Sequence, residues 1–351
     1  MTGLSTSVIR IERYGPPDVL VERTVPLPAL DPDSVHVRVS AAGINFADLF
    51  MRAGLYDTVP PRPFSPGFEV AGEVVDVGSN VEGWKPGDRV AVLMRYGGYA
   101  RDVIVPAANL FSYPSTLSPV EAAAIPVVFL TAWVCLFEAA RVRANETVLV
   151  LTAGGGVGSA ATQLAVRHGM RVFGTAGTDA KRAFVVEQLG AEACFDSRGS
   201  WAADVLAVVG ERGLNVALDA VGGDATRACR RLLGPLGRLV FYGLSDAMPN
   251  QKRSWFRAAL AWVRTRPLHP LSLIQQNIGV FGVHLLHVGA KEQGLREAMS
   301  EVFRGVEEGE LRPIVDRTFP LTREGAVAAH RYIHDRRNLG KVVLASEEAG
   351  S

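Results

Sequence analysis

The stretch VLVLTAGGGVGSAATQLAVRHG, residues 148–169, constrains this chain more than any other. A short apolar run stopped by a glycine cluster reads as a buried strand, and Ser159–His168 directly after it reads as a helix. Glycines let the backbone turn sharply and approach an anion, while the helix start offers open N–H groups and a positive dipole end. The spacing is Thr152-x-x-Gly155-x-x-Gly158, a variant of GxGxxG with threonine at the first position. Alone it is weak; between a strand and a helix it points to the pyrophosphate of a dinucleotide, contacted by Thr152, Gly155, Gly156, Val157 and Gly158. The competing reading is a packing turn with no ligand.

The surrounding texture supports the first reading. Strand-like runs at Arg171–Gly174, Val216–Ala220, Arg238–Gly243 and Gly279–Leu285 follow, with a helix at Asp179–Leu189 among them. Such alternation calls for right-handed βαβ units in a parallel sheet covered on both faces. Residues 126–288 are therefore expected to form a doubly wound, Rossmann-type NAD(P)-binding domain. Residues 1–125 look different. Runs such as SVHVRVSAAGI and GFEVAGEVVDVG stop at Gly or Asp-Pro, which predicts a β-rich domain nearly without helices. Ser118-Pro119-Val120-Glu121 has capping-box spacing and opens an alanine-rich helix. The tail predicts a helix at Lys291–Glu308 and then strand, helix, strand, so that 289–351 rejoins the β-rich domain.

The end of the second strand of the nucleotide domain bears on NAD against NADP. An NAD site places a carboxylate there for the ribose hydroxyls. Here the strand runs into Thr175-Ala176-Gly177-Thr178, with Lys181 and Arg198 following, so NADPH is the expected cofactor and Thr175, Ala176, Lys181 and Arg198 its neighbours. The bland reading of Lys181 is a solvated helix charge. Tyr242 and Gly243 end a later strand at the carboxyl edge, where open α/β sheets bind ligands.

A net charge of +1 over 351 residues gives no field to attract nucleic acid or hold an anionic membrane. Cys135, Cys194 and Cys229 lie far apart, which fits a reducing compartment, and a cytoplasmic location is expected. The start lacks a secretory pattern. The most apolar run, Ile125–Phe137, reads as too short for a bilayer, so contact with a membrane is expected to be peripheral at most.

The segments AAGINFADLFMRAGLYDTVPPRPFSPGFEVAGEV, KPGDRVAV, PVVFLTAW, TAGGGVGSAATQLA and NLGKVVL resemble the medium-chain dehydrogenase/reductase superfamily over nearly the whole chain. The resemblance is to its quinone oxidoreductase (zeta-crystallin) branch, within it to the vesicle amine transport protein homologues, and also to its enoyl-thioester reductases. It implies a chaperonin-10-like catalytic domain beside the Rossmann domain, an active site in the cleft between them and a homodimer.

The zinc enzymes of that superfamily place a cysteine where this chain has Asn45 and a histidine where it has Phe68, and residues 80–115 contain no cysteine for a structural zinc lobe. The resemblance thus implies no metal. It implies that Asn45 positions cofactor and substrate, against the commoner fate of a loop asparagine bonding its own backbone. Asp48 is read as a helix-start group. Tyr56 is either a substrate-facing phenol that donates a hydrogen bond or proton, or a half-buried interface tyrosine. Thr131 is expected near the nicotinamide, Phe281 and Val283 on a strand that also pairs across the dimer, and Asn338 and Lys341 near the cofactor, with Lys341 available to a phosphate. Relatives often carry a tyrosine for the 2′-phosphate where this chain has Ser197.

The segment 247–276 has no acidic residue and carries Lys252, Arg253, Arg257, Arg264 and Arg266. It reads as a solvated helix over the cleft, as a lid whose Arg253 and Arg257 receive the phosphates of an acyl-CoA, or as a basic amphipathic helix on anionic lipid. The expected function is NADPH-dependent, zinc-free reduction of the activated C=C bond of an enoyl-CoA, a 2-alkenal or enone, or a quinone. The alternative is an NADPH-binding interaction protein or membrane-peripheral protein with little turnover.

Overall fold

The computed structural model describes residues 4–56, 58–247 and 269–347. Arg253, Arg257 and most of the basic segment lie outside them. Two compact units result: one runs to Val127 and resumes at Met299, and the other runs from Val128 to Ala298.

In the first unit, β1 (Ser5–Ile11) and β2 (Leu20–Pro26) form an antiparallel pair. Then come β3 (Ser34–Ile44), α1 (Phe46–Ala53), β4 (Glu69–Val77), β5 (Arg89–Leu93), β6 (Asp102–Pro106) and β7 (Leu110–Ser112). Alternate valines of β3 and β4 enter the core, where each buried aliphatic side chain contributes about 1.5–3 kcal/mol. The one α-helix among the described residues before α2 is α1, in keeping with a stretch nearly without helices. It is only 8 residues long, but Asp48 caps its start and Gly54, with φ of 70°, ends it.

Ser118 caps α2 (Pro119–Ala122) as its spacing predicts. The Glu121 N–H donates to Ser118 Oγ at 3.3 Å and the Ser118 N–H to Glu121 Oε2 at 2.8 Å. α3 (Pro126–Trp133) and one π-helical turn follow. The helical run Pro119–Ala139 is 21 residues, longer than the apolar run read from the sequence and sufficient by length and composition to cross a bilayer. Yet 72% of its most apolar window is buried inside the protein, as in a core helix.

The second unit alternates strand and helix: β8 (Thr147–Val150), α4 (Gly156–Arg167), β9 (Arg171–Ala176), α5 (Asp179–Glu187), β10 (Ala193–Asp196), α6 (Trp201–Val209), β11 (Leu214–Asp219), α7 (Gly223–Leu232), β12 (Leu233–Phe241), α8 (Pro270–Gln276) and β13 (Gly279–Gly282). The sheet order is β10-β9-β8-β11-β12-β13, every neighbouring pair parallel. Counted from β8 this is 3-2-1-4-5-6, the Rossmann order, with its reversal between β8 and β11. Leu149, Phe173, Leu214, Leu232 and Leu239 form the core on one face. On α4, Ala160, Ala161, Leu164 and Ala165 are buried, and the three small alanines let the helix lie close to the strands.

After α9 (Glu292–Glu307), the chain forms β14 (Val315–Pro320), α10 (Arg323–His334) and β15 (Lys341–Ala345). β15 pairs antiparallel with β3, Val342 opposite Ile44, so the tail completes the first unit's sheet β14-β15-β3-β4-β5-β7. This is the strand–helix–strand return expected from the sequence.

Candidate active site

At the glycine turn the backbone explains the variant motif. Thr152 adopts φ of 55°, a left-handed conformation that is uncommon for a β-branched residue, at the position where a strict fingerprint has glycine. Its neighbours hold it there. The Thr152 N–H donates to Thr175 Oγ1 at 3.2 Å, and the Ala153 N–H to the Thr175 carbonyl at 2.9 Å. A Cβ at Gly158 would stand 2.3 Å from the Thr152 carbonyl oxygen, so only glycine lets α4 start this close to β8. Gly155 is the N-cap and offers no side-chain cap, which leaves the first N–H groups of α4, Gly156 to Gly158, directed past the helix start as an anion cradle. The stem of Lys181 runs beside Gly154, which brings that lysine to the turn.

At the carboxyl end of β9, Thr175 and Ala176 are buried. Arg198 is mostly exposed and grips Asp196, through Nε at 3.0 Å and Nη2 at 3.1 Å. That fork holds the Asp196 carboxyl down to about 2. Arg198 therefore stands beside the strand end already paired. Sequence reading passed over Arg182, one turn into α5. It contacts Asp179 and lies 3.5 Å from Asp196 and from the Ala176 carbonyl, which places a half-buried cation at the strand end.

Across the switch point, Asp219 ends β11 fully buried. Its carboxylate accepts from the N–H groups of Val221 at 2.7 Å and Gly222 at 2.9 Å and from Thr226 Oγ1 at 2.6 Å. Burial pushes its pKa up, and the three donors pull the other way. Asp219 shapes the loop after β11, and its carbonyl accepts the Tyr242 N–H at 3.1 Å. A buried aspartate closing the strand LNVALD was the signal that sequence reading missed. Tyr242 has a hydroxyl shielded from solvent next to Thr152, and burial raises its pKa. Gly243 follows at the sheet edge. Thr131 is buried in α3, Phe281 is 41% exposed on β13, and the Val283 N–H donates to the Phe241 carbonyl at 2.7 Å.

In the first unit, Asn45 follows β3 and is the N-cap of α1, and its amide joins a buried cluster. Lys341 Nζ donates to the Ile44 carbonyl at 2.7 Å, Asn45 Oδ1 at 2.9 Å and Glu69 Oε1 at 2.6 Å. Asn45 Nδ2 donates to the same Glu69 oxygen at 2.8 Å, and the Val127 N–H donates to Glu69 Oε2 at 2.7 Å. All three ammonium protons are thus used. Lys341, expected at a phosphate, instead neutralises Glu69 inside the protein. Asn338 is likewise turned to its own loop, with Nδ2 donating to the Gly340 carbonyl at 2.8 Å. Tyr56 lies beyond the end of α1 with its ring edge-on to Phe68, centroids 5.7 Å apart.

A second buried chain starts at Asp48. Its carboxylate accepts the Asn45 N–H at 2.7 Å and the Gly67 N–H at 2.9 Å, and Tyr99 hydrogen-bonds to it. The Tyr99 hydroxyl lies 3.0 Å from His330 Nε2, and Arg52 Nη1 lies 3.1 Å from His330 Nδ1. Burial lowers the His330 pKa well below its usual value, so the ring is neutral. With Nδ1 accepting from Arg52, the proton must sit on Nε2, and the bonds run in one direction: Arg52 to His330 to Tyr99 to Asp48. Burial raises the Asp48 pKa to about 7, against the opposing pull of the Asn45 and Gly67 N–H groups and Lys341. A pKa raised above the unfolded value contributes stability that is complete below that value and lost as pH rises through the folded one. The urea midpoint is therefore expected to fall between about pH 5 and about pH 8, and Asp48→Asn is expected to flatten that fall. An equal slope in the variant would remove Asp48 as its source.

Comparison with known proteins agrees with this architecture. Residues 31–115 match the family described as "Alcohol dehydrogenase GroES-like domain" and residues 189–344 match "Zinc-binding dehydrogenase". The chain is 38% identical over 321 residues to the synaptic vesicle membrane protein VAT-1 homolog of Danio rerio, covering 91% of this chain and 66% of that protein. It is 31% identical over 342 residues to the quinone oxidoreductase of Sus scrofa, covering 96% and 97%. Among solved structures, human VAT-1 homolog-like protein superposes with a TM-score of 0.84 at 30% identity, covering 98% of this chain and 99% of that one. Escherichia coli quinone oxidoreductase complexed with NADPH gives 0.83 at 27% identity and CurK enoyl reductase 0.82 at 26%, each covering 97% and 99%. The GroES-like unit, the Rossmann unit and these likenesses together make the chain a member of the medium-chain dehydrogenase/reductase superfamily, among the VAT-1 homologues and quinone oxidoreductases.

Proposed function

We propose that this chain is an NADPH-dependent reductase of activated carbon–carbon double bonds that works without zinc. The observation that carries the reading is the buried Lys341–Glu69–Asn45 cluster beside Phe68. That set does not fit a zinc ion. Phe68 has no donor atom, the Asn45 amide is a poor ligand, and the Lys341 ammonium already neutralises Glu69 and would repel a divalent cation. Without a Lewis acid, a simple carbonyl lacks its electrophile, whereas a conjugated one spreads charge onto its own oxygen.

The glycine turn fits a dinucleotide. The N–H groups of Gly156 to Gly158 would take the pyrophosphate, with Lys181 and Arg182 near the ribose phosphate and Thr131 and Tyr242 toward the nicotinamide. Bound there, NADPH supplies a hydride for the β-carbon of the acceptor. Asn45 keeps one amide N–H beyond the one given to Glu69, and it serves as a fixed donor for the substrate oxygen. The Tyr56 phenol donates a hydrogen bond to the same oxygen, or a proton to the α-carbon.

The test is NADPH oxidation with crotonyl-CoA, a branched enoyl-CoA, a 2-alkenal and a benzoquinone, with NADH as control and a chelator in parallel. Turnover preferring NADPH and indifferent to the chelator is expected. Silence across the panel would overturn the reading in favour of a binding protein, and chelator sensitivity would overturn the zinc-free part. Tyr56→Phe is expected to lower kcat about a hundredfold with little change in KM, the loss of one general acid. Unchanged turnover of every acceptor would exclude Tyr56 as the donor.

A further inference from the structure

A cavity of about 530 Å³ opens in the second unit, and none of the site residues discussed so far lines it. Arg212, Arg227, Arg230 and Arg231 line it together with Leu233 and Gln276, and among the described residues no carboxylate does. Its place in the fold is informative. Arg212 precedes β11, and Leu233 opens β12 as Leu214's neighbour in the sheet, so the cavity lies at the amino edge of the parallel strands. The glycine turn follows the carboxyl end of β8. One strand length, roughly 20 Å at about 3.3 Å per residue, separates the two edges.

Four guanidinium groups around one cavity repel each other, so their convergence needs a reason. The dipole of α7 favours cations in its last turn and accounts for Arg230 and Arg231. It does not account for Arg212, which comes from a loop with φ of 57°, or for Arg227 a turn earlier, where Asp224 pairs with it. Arg230 is also held in place. Its Nη2 donates to Ser272 Oγ of α8 at 2.6 Å, and Gln276 Nε2 lies 3.5 Å from the same hydroxyl. That anchoring leaves Arg230 Nε shielded from solvent without an acceptor. A shielded guanidinium donor beside three further arginines is suited to an anion with several oxygens, since the planar fork matches phosphate. The volume is that of a small-molecule site.

We infer that this cavity is a second anion site that binds the phosphate groups of a small molecule carrying a diphosphate. The inference does not depend on the reductase reading. The probe is inorganic pyrophosphate, titrated by calorimetry into the protein alone and into protein carrying one equivalent of NADPH. One equivalent is expected to bind when NADPH occupies the glycine turn, and a second in its absence, with affinity falling as chloride rises. Arg227→Gln with Arg231→Gln, and separately Arg212→Gln, are expected to weaken pyrophosphate at least tenfold and leave NADPH affinity unchanged. Arg212 and Arg231 are exposed and Arg227 is half-buried, so the variants should fold, and their thermal midpoints would check it. Absence of binding, loss of binding when NADPH is present, or binding indifferent to all three arginines would each overturn the inference.

Discussion

Lys341→Met is expected to lower the thermal unfolding midpoint by roughly 10 °C. The ammonium and the Glu69 carboxylate have side-chain exposures of 3% and 0%, so the variant leaves an uncompensated charge where water cannot reach it. Breaking a buried pair from one side costs about 3–5 kcal/mol, and each kcal/mol moves the midpoint by about 2–4 °C in a large domain. The Ile44 carbonyl and Asn45 Oδ1 also lose their donor, which should loosen the entry to α1. Adding Glu69→Gln to Lys341→Met is expected to recover more than half of the loss, because most of it is the stranded charge rather than the missing bond. Calorimetric scans of wild type and the two variants measure both effects. A midpoint for Lys341→Met within about 2 °C of wild type would mean that the buried pair contributes little to stability.

Gly158→Ala is expected to weaken NADPH about a hundredfold, equivalent to about 2.7 kcal/mol. The added Cβ would lie 2.3 Å from the Thr152 carbonyl oxygen and 2.8 Å from Ala153 Cα. Both obstacles are backbone, so the start of α4 must move and its N–H groups lose their common aim. Thr152 cannot yield cheaply either, because its left-handed conformation is already held by Thr175. Gly155→Ala provides the contrast. A Cβ there would meet only the Thr152 carbonyl, at 3.3 Å, and should reduce NADPH affinity with little effect on stability. Fluorescence titration of NADPH and thermal unfolding of both variants separate the two. Normal NADPH affinity in Gly158→Ala would place the pyrophosphate elsewhere.

The nucleotide unit was legible because its signals are local: an apolar run, a glycine cluster and a helix directly after it. The capping box at Ser118 is local in the same sense. Short elements were harder. β10 has 4 half-buried residues, and α1 has 8 inside a β-rich stretch, too few for periodicity to stand out. The apolar run Ile125–Phe137 is shorter than the helical run Pro119–Ala139 that contains it, because the helix also takes in the capped, alanine-rich turn before it. Long-range pairings left no trace. Nothing near Lys341 announces that Glu69, 272 positions earlier, is its partner. Arg198 looked like an open cation because the effect of Asp196, two residues before, depends on the strand end presenting both side chains together.

The same long-range pairing sets an order on biosynthesis. β3 cannot receive its neighbour β15, nor Glu69 its counter-ion, until the last part of the chain has been translated. At about 5–20 residues per second, the 272 residues between Glu69 and Lys341 take roughly 15 to 55 seconds to appear. The six strands of the nucleotide sheet, by contrast, all lie between Thr147 and Gly282 and can assemble while translation continues. The first unit thus starts before the nucleotide unit and is finished after it, and through that interval the open side of β3 must be kept from pairing with other chains.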